Sequence, residues 1–369
     1  MNKNSTEAQE NIKSVIQRIA TGPELSKNIT REEAKRSMSD ILEGRIDPVQ
    51  SAIFLIALRM KRETMDENLG VHDAIIESTT TVGTSCDNLV NIADPYDGFS
   101  RNLPSSIFTL PVLAELGHPI ISHGVLSVGP KYGCTHHLIL KELGYNSCND
   151  HQEIVERLEN SEIGWAYADQ SMFNPKLHNL MSLRRQIIKR PVITTVEVLV
   201  KPISSKNDIF FTGFVHKPYP PIYLELSRNA GFNSAAVIRG TEGGIIPSLR
   251  QTGKVHFYDR ADNQDTSYDV IPENLGIVES SRAVDIPQQI TRKNTKDKIE
   301  SKVNATDIAK EAIKSGLDAL SGVEGPMMSC IQLGAAIILQ RVTGNDLDDC
   351  SKEVLQVVKS KAALKRIKK

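Results

Sequence analysis

Apolar positions first recur at helical spacing in three short blocks after a polar lead-in of residues 1–27, which shows only a weak pattern at Ile12, Val15, Ile16 and Ile19 before Gly22-Pro23. Thr30 with Glu33 reads as a capping box, in which hydroxyl and carboxylate satisfy each other's backbone amides. Ala34, Met38, Ile41 and Leu42 then follow at helical spacing up to Gly44. Asp47-Pro48 opens a second helix by placing a capping carboxylate before a proline at the first helical position, with Val49, Ile53, Ile56 and Met60 as its apolar face. Thr64 with Glu67 repeats the capping box ahead of Leu69, Ala74 and Ile75. Tight connections make these a small helical domain over 28–85, to which 174–190 adds a helical contribution.

From Asn88 the texture changes. Brief apolar runs at 88–93, 119–122, 163–168, 209–215 and 234–238 alternate with helical stretches, which predicts an α/β domain over 86–369 with a mainly parallel central sheet flanked by helices. Residues 259–304 are rich in Asp, Asn, Ser, Thr and Lys without sustained apolar period and read as an irregular excursion. Helical patterning returns at 305–319, 325–342 and 347–363, ahead of a basic tail of Lys365, Arg366, Lys368 and Lys369.

Charge narrows the partners. The 44 Lys and Arg against 45 Asp and Glu leave a net charge of −1, so no global field draws in nucleic acid or an anionic membrane, and either would need a local patch. No apolar run approaches the roughly 20 residues of a membrane span, and the opening residues lack a signal-peptide pattern, so a cytoplasmic location without membrane contact is expected. Five cysteines, none in CxxC spacing, indicate reduced thiols. Cys134, His136 and His137, with His123, Cys148 and His151, match no zinc spacing.

Candidate chemistry lies in loops that follow strands. Asn91-Ile92-Ala93-Asp94-Pro95-Tyr96-Asp97-Gly98 precedes a helix expected to start at Pro104; Asp94 and Asp97 suit magnesium or sugar hydroxyls, or plain turn chemistry. The glycine-bearing loop from Ser122 to His137 offers Gly124, Ser127, Lys131, Gly133 and Thr135 to a phosphate or diphosphate, or is a long connection whose glycines serve turns. Arg184, Arg185, Lys189 and Arg190 form the densest internal basic cluster, fit for a carboxylate, a phosphate or a nucleic-acid backbone, or simply a solvated helix face. In Gly240-Thr241-Glu242-Gly243-Gly244, Glu242 is a metal ligand or a turn residue.

These segments, in this order, resemble the anthranilate phosphoribosyltransferase superfamily, relatives of the pyrimidine nucleoside phosphorylases. Its landmarks stand here as Glu33-Ala34, Ile41-Leu42-Glu43-Gly44, Gln50-Ser51-Ala52-Ile53-Phe54-Leu55, Leu58-Arg59-Met60-Lys61, Val215-His216, Ile238-Arg239-Gly240 and Ile271-Pro272-Glu273-Asn274-Leu275-Gly276. The resemblance implies a helical domain beside an α/β domain, a homodimer through the helical part, and a cleft between them that takes phosphoribosyl diphosphate with magnesium. Together with the loop readings above, it makes Asp94, Asp97 and His123 the candidate catalytic residues, and Gly98, Ser105, Ser106, Gly124, Ser127, Lys131, Gly133, Thr135, Arg184 and Arg190 the candidate ligand contacts. The family's magnesium-binding Asp-Glu pair would fall near Gly244, Ile245 and Ile246 and is absent, so metal binding is expected from replacements, Asp94 and Asp97, with Glu242 as a further candidate ligand.

The motifs also depart from the family. Its Gly-Thr-Gly-Gly-Asp is Ala93-Asp94-Pro95-Tyr96-Asp97, its Asn-x-Ser-Thr is Leu103-Pro104-Ser105-Ser106, and its Lys-His-Gly-Asn-Arg is Ser122-His123-Gly124-Val125-Leu126. His123-Gly124-Val125, Gly240-Thr241-Glu242-Gly243 and the Arg184 to Arg190 spacing resemble a divergent YbiB-like branch, associated with nucleic-acid binding. The expectation is a glycosyl or phosphoribosyl transferase that does not act on anthranilate; the alternative is a noncatalytic nucleic-acid-binding dimer.

Overall fold

The computed structural model describes residues 3–22, 24–145, 150–261, 263–290, 292–294 and 296–369; Cys148 lies outside them. Four helices open the chain: α1 (Lys3–Ile19), α2 (Arg31–Leu42), α3 (Pro48–Lys61) and α4 (Met65–Ser78). Both predicted capping boxes form, with Glu33 and Glu67 accepting from the cap amides of Thr30 and Thr64 at 2.9 and 2.8 Å. The larger part of the polar lead-in is the helix α1. Its stripe of Ala8, Ile12, Val15 and Ile19 is buried against α2 and α3 with Ile16 packed beside it, while Glu7, Glu10, Lys13, Ser14 and Gln17 face water.

The expected apolar face of α3 is corrected. Val49 and Met60 are 66% and 72% exposed, and Ser51, Phe54, Leu55, Ala57 and Leu58 face the core instead. The helix is apolar nearly all round, so periodicity does not select which side turns inward.

Beyond the bundle, β1 (Val82–Gly83) pairs in parallel with β5 (Ile203–Ser204). The main sheet holds β2 (Asn88–Ala93), β3 (Ile120–Gly124), β4 (Trp165–Asp169), β6 (Asn207–Phe214), β7 (Ser234–Arg239), β8 (Gly253–Tyr258) and β9 (Thr266–Val270). Their order is β4-β3-β2-β6-β7-β8-β9, parallel as far as β7 and antiparallel from there. Central strands such as β3 are buried on both faces, which explains their unbroken apolar runs. The last pair escaped sequence reading because Thr266–Val270 is a polar edge strand inside the stretch expected to be irregular.

Strand order reverses at β2, which pairs with β3 on one side and β6 on the other. At such a switch point the loops leaving the carboxyl ends diverge and open a crevice. The loop after β2 and the segment after β6 border it. Ala305–Leu320, Pro326–Thr343 and Leu347–Ser360 supply the predicted closing helices; Lys361, left-handed at φ 62°, separates the last of these from Ala362–Arg366.

Candidate functional site

A cleft of about 1070 Å³ opens at this switch point, walled by Arg59 from α3, the loop after β2, Lys131, Arg190, the exit of β6, Glu242 and parts of residues 285–303. Asp97 anchors its floor. One carboxylate oxygen accepts from Arg190 Nη2 at 2.6 Å and Nε at 3.1 Å, and Lys131 Nζ stands 3.5 Å from the other. Gly98 and Gly133 do not line the cleft: their backbones press together, and a Cβ on Gly98, at φ +75°, would sit 2.6 Å from the Gly133 carbonyl carbon. That close approach lets Phe99 and Cys134 exchange two backbone hydrogen bonds and fixes Lys131 beside Asp97.

Across the cleft, Glu242 occupies a left-handed conformation (φ 53°, ψ 13°). Its side chain is only 2% exposed. Oε1 accepts from the backbone amides of Arg101 at 2.8 Å and Asn102 at 2.9 Å, and Oε2 from that of Ser100 at 3.1 Å. Lys131 Nζ lies 3.5 Å from Oε2, so this ammonium bridges Glu242 and Asp97. Gly213 and Gly240 hold the loop tight, since a Cβ on either would collide with the Gly244 carbonyl at 2.0 or 1.6 Å.

Asp94 belongs to a buried network behind the cleft. Oδ1 accepts from the Ile245 amide at 3.0 Å; Oδ2 accepts from the Ser106 hydroxyl and lies 3.0 Å from His136 Nε2. The other nitrogen of His136 is 2.8 Å from Ser122 Oγ. The network joins β3, through Ser122, to the loop after β2, the turn Ser106–Phe108, the start of the helix His136–Glu142 and the loop that holds Ile245, and its main members are at most 6% exposed.

His123 is likewise enclosed, by Tyr96, Phe173 and Phe210. The Tyr96 hydroxyl lies 2.5 Å from its Nδ1, and burial holds the imidazole pKa down to about 3, so the ring is neutral rather than a proton carrier. His72, buried with Nε2 2.6 Å from the Leu199 carbonyl, is held to about 4 for the same reason. Both folded values lie below the ordinary 6.5, so the unfolded chain takes up protons first as pH falls. Their stabilisation is complete above pH 6.5 and declines through pH 5, by on the order of 1 kcal/mol per pH unit for each histidine. Urea midpoints at pH 7, 6 and 5 should fall accordingly and flatten in a His72→Gln, His123→Gln variant; an equally steep fall in that variant would remove the assignment.

Other expected contacts are corrected. Arg184 is buried and spends its guanidinium on Glu197, while Arg185 and Lys189 face solvent. Thr135 caps the helix His136–Glu142, Ser105 meets the buried Cys330 thiol, Gly124 packs near Tyr167 and Tyr96, and Ser127 is exposed away from the cleft. Neither Ser106 nor Asp94 reaches the cleft wall. The helix expected at Pro104 starts as a short turn at Ser106–Phe108. Among the described residues no group of three His, Cys, Asp or Glu is placed to hold a metal, so the Asp94, Asp97 and Glu242 set does not fit magnesium. Their oxygens already face amides, hydroxyls and cations.

The structure therefore brings Asp97, Lys131, Arg190 and Glu242 together. It adds residues that had no assigned role: Arg59, which donates to the Tyr219 hydroxyl at 2.6 Å, and Arg101, Lys298 and Lys302 on the rim. Arg59 lay within a quoted family landmark; the rim cations lay in loops with no periodic signal.

Residues 13–79 match the helical bundle domain of the glycosyl transferase family. The chain is 32% identical to an uncharacterized protein of Aquifex aeolicus (strain VF5) over 223 residues, covering 60% of this chain and 65% of that one. To the anthranilate phosphoribosyltransferase of the same organism it is 25% identical over 344 residues, 93% of each. The fold matches the solved anthranilate phosphoribosyltransferase (TrpD) from Thermus thermophilus, with a TM-score of 0.72, 18% identity and 98% of both chains covered. The Saccharomyces cerevisiae enzyme in complex with PRPP and Mg gives a TM-score of 0.73 at 14% identity, over 97% of this chain and 96% of that one. The matched helical bundle, relatives along nearly its whole length and the shared fold make the chain similar to the anthranilate phosphoribosyltransferases in sequence and in architecture.

Proposed function

We propose that the protein is a phosphoribosyltransferase-like homodimer whose cleft takes a phosphorylated sugar of the phosphoribosyl diphosphate class, with an acceptor other than anthranilate. The carrying observation is the set of cations converging on the cleft at the switch point: Arg59, Lys131 and Arg190, with Arg101 at the rim. Guanidinium and ammonium groups match the charge of a diphosphate and stabilise it as a leaving group. The exposed α3 face of Val49, Ile53 and Met60 supports the dimer.

Anthranilate is disfavoured by what replaces the family motifs. The Tyr96 ring and Pro95 fill the place of the glycine-rich loop, and Val125 and Leu126 stand where the family has Asn and Arg. Magnesium on this reading is a companion of the ligand's own phosphates rather than the tenant of a carboxylate cage. The nucleic-acid alternative has less support, because Arg184 is paired internally and Arg366 and Lys369 of the tail pair with Glu115 and Glu162.

The test is calorimetric titration of protein verified as a dimer by light scattering, with phosphoribosyl diphosphate and magnesium. Saturable binding is expected, weakened roughly 10-fold or more in Lys131→Ala by loss of a charged hydrogen bond, with no turnover of anthranilate. Binding of single-stranded DNA alone, lost at high salt, would replace this reading with the alternative.

A further inference from the structure

The amides of Ser100, Arg101 and Asn102 point into one concavity, and the chain fills it with its own anion. Three successive backbone donors backed by an ammonium are the hardware of an oxyanion site, not of a turn. Glu242 supplies two oxygens and one negative charge to it, from a left-handed backbone that favours glycine and asparagine over glutamate. Lys131 stands 3.5 Å from the carboxylate, and the Arg101 guanidinium, 75% exposed, lies 3.6 Å away. Ser100, Arg101, Lys131 and Glu242 all line the same cleft, so a ligand entering it meets the carboxylate at the boundary of the open space.

We propose that the Ser100–Asn102 amides and Lys131 form a phosphate site for which Glu242 is a built-in competitor, displaced when a phosphoryl group of a cleft ligand enters. The site deepens the phosphorylated-ligand reading and rests on it for the identity of the ligand. A phosphate group satisfies the same amides with more oxygens and more charge, while the released carboxylate turns into the cleft it already borders. The competitor sets a threshold: a lone phosphate displaces it weakly, whereas a ligand held elsewhere in the cleft by its remaining groups does so efficiently.

Inorganic phosphate and pyrophosphate are the probes, titrated calorimetrically into the full chain. Wild type should bind both weakly; Glu242→Ala should bind pyrophosphate at least tenfold more tightly, and adding Lys131→Ala should abolish the gain. Circular dichroism checks the fold, and if Glu242→Ala is unfolded, Glu242→Gln decides, because it removes the charge while keeping an acceptor for the amides. A folded variant with no gain in either anion overturns the proposal, even where phosphoribosyl diphosphate binds wild type. A gain in the variant, with no binding of phosphoribosyl diphosphate to wild type or variant, upholds the anion site and overturns the function reading alone.

Discussion

Glu197→Ala is expected to cost about 3–5 kcal/mol of stability, because it strands a buried guanidinium. Arg184 Nη1 and Nη2 donate to the two oxygens of Glu197 at 2.6 Å each, and both side chains are 1% exposed. Gln170 is within 3.5 Å of the same carboxylate. The fork pins the helix Met181–Ile187, which lies against α3, to the turn Ile193–Val196, which lies against α4. Truncation leaves a cation whose hydration was removed on folding and whose partner is gone. The companion Arg184→Met, Glu197→Leu variant should recover most of the loss, since apolar residues of similar volume often substitute for a buried pair without penalty. Urea unfolding reads both. A cost below about 1 kcal/mol for Glu197→Ala at unchanged m-value would mean that water reaches the pair and that burial was misjudged.

Arg184 also shows where sequence reading stops. A run of Arg184, Arg185, Lys189 and Arg190 announces positive charge, but only three-dimensional placement sends the first to the core, the middle two to solvent and the last to Asp97. Helix starts are legible because a capping box is a local interaction complete within four residues, as Thr30 and Thr64 demonstrate. The parallel strands are legible because burial on both faces forces unbroken apolar runs. Edge strand β9 is not, because half of it faces water. Asp94, Asp97 and Glu242 stand out in sequence as carboxylates in loops after strands, yet they form no metal set: Asp94 and Asp97 share a loop but turn apart, one to Ile245, Ser106 and His136 and the other to Arg190 and Lys131, while Glu242 comes from the loop after β7. Glu242 meets residues 140 positions and more away in sequence, and no spacing rule predicts that contact.

Asp94 separates a positioning carboxylate from a reacting one. Asp94→Ala is expected to destabilise the protein by about 3 kcal/mol, because it leaves the Ile245 amide, the Ser106 hydroxyl and the His136 imidazole buried without their acceptor, each a penalty of roughly 1–3 kcal/mol that partial relaxation reduces. Asp94→Asn should cost far less. Its amide oxygen can still accept from Ile245 at the present 3.0 Å, and its amide nitrogen can donate toward His136 Nε2, whose ring can present either tautomer to Ser122 and Ser106. The same ordering should appear in ligand binding, because the Ile245 contact ties the loop after β2 to the Glu242 loop and so sets the cleft's two sides against each other. A reacting carboxylate gives the opposite pattern. Asp94→Asn would then retain stability and ligand affinity yet lose turnover as completely as Asp94→Ala, and that outcome would return Asp94 to the chemistry.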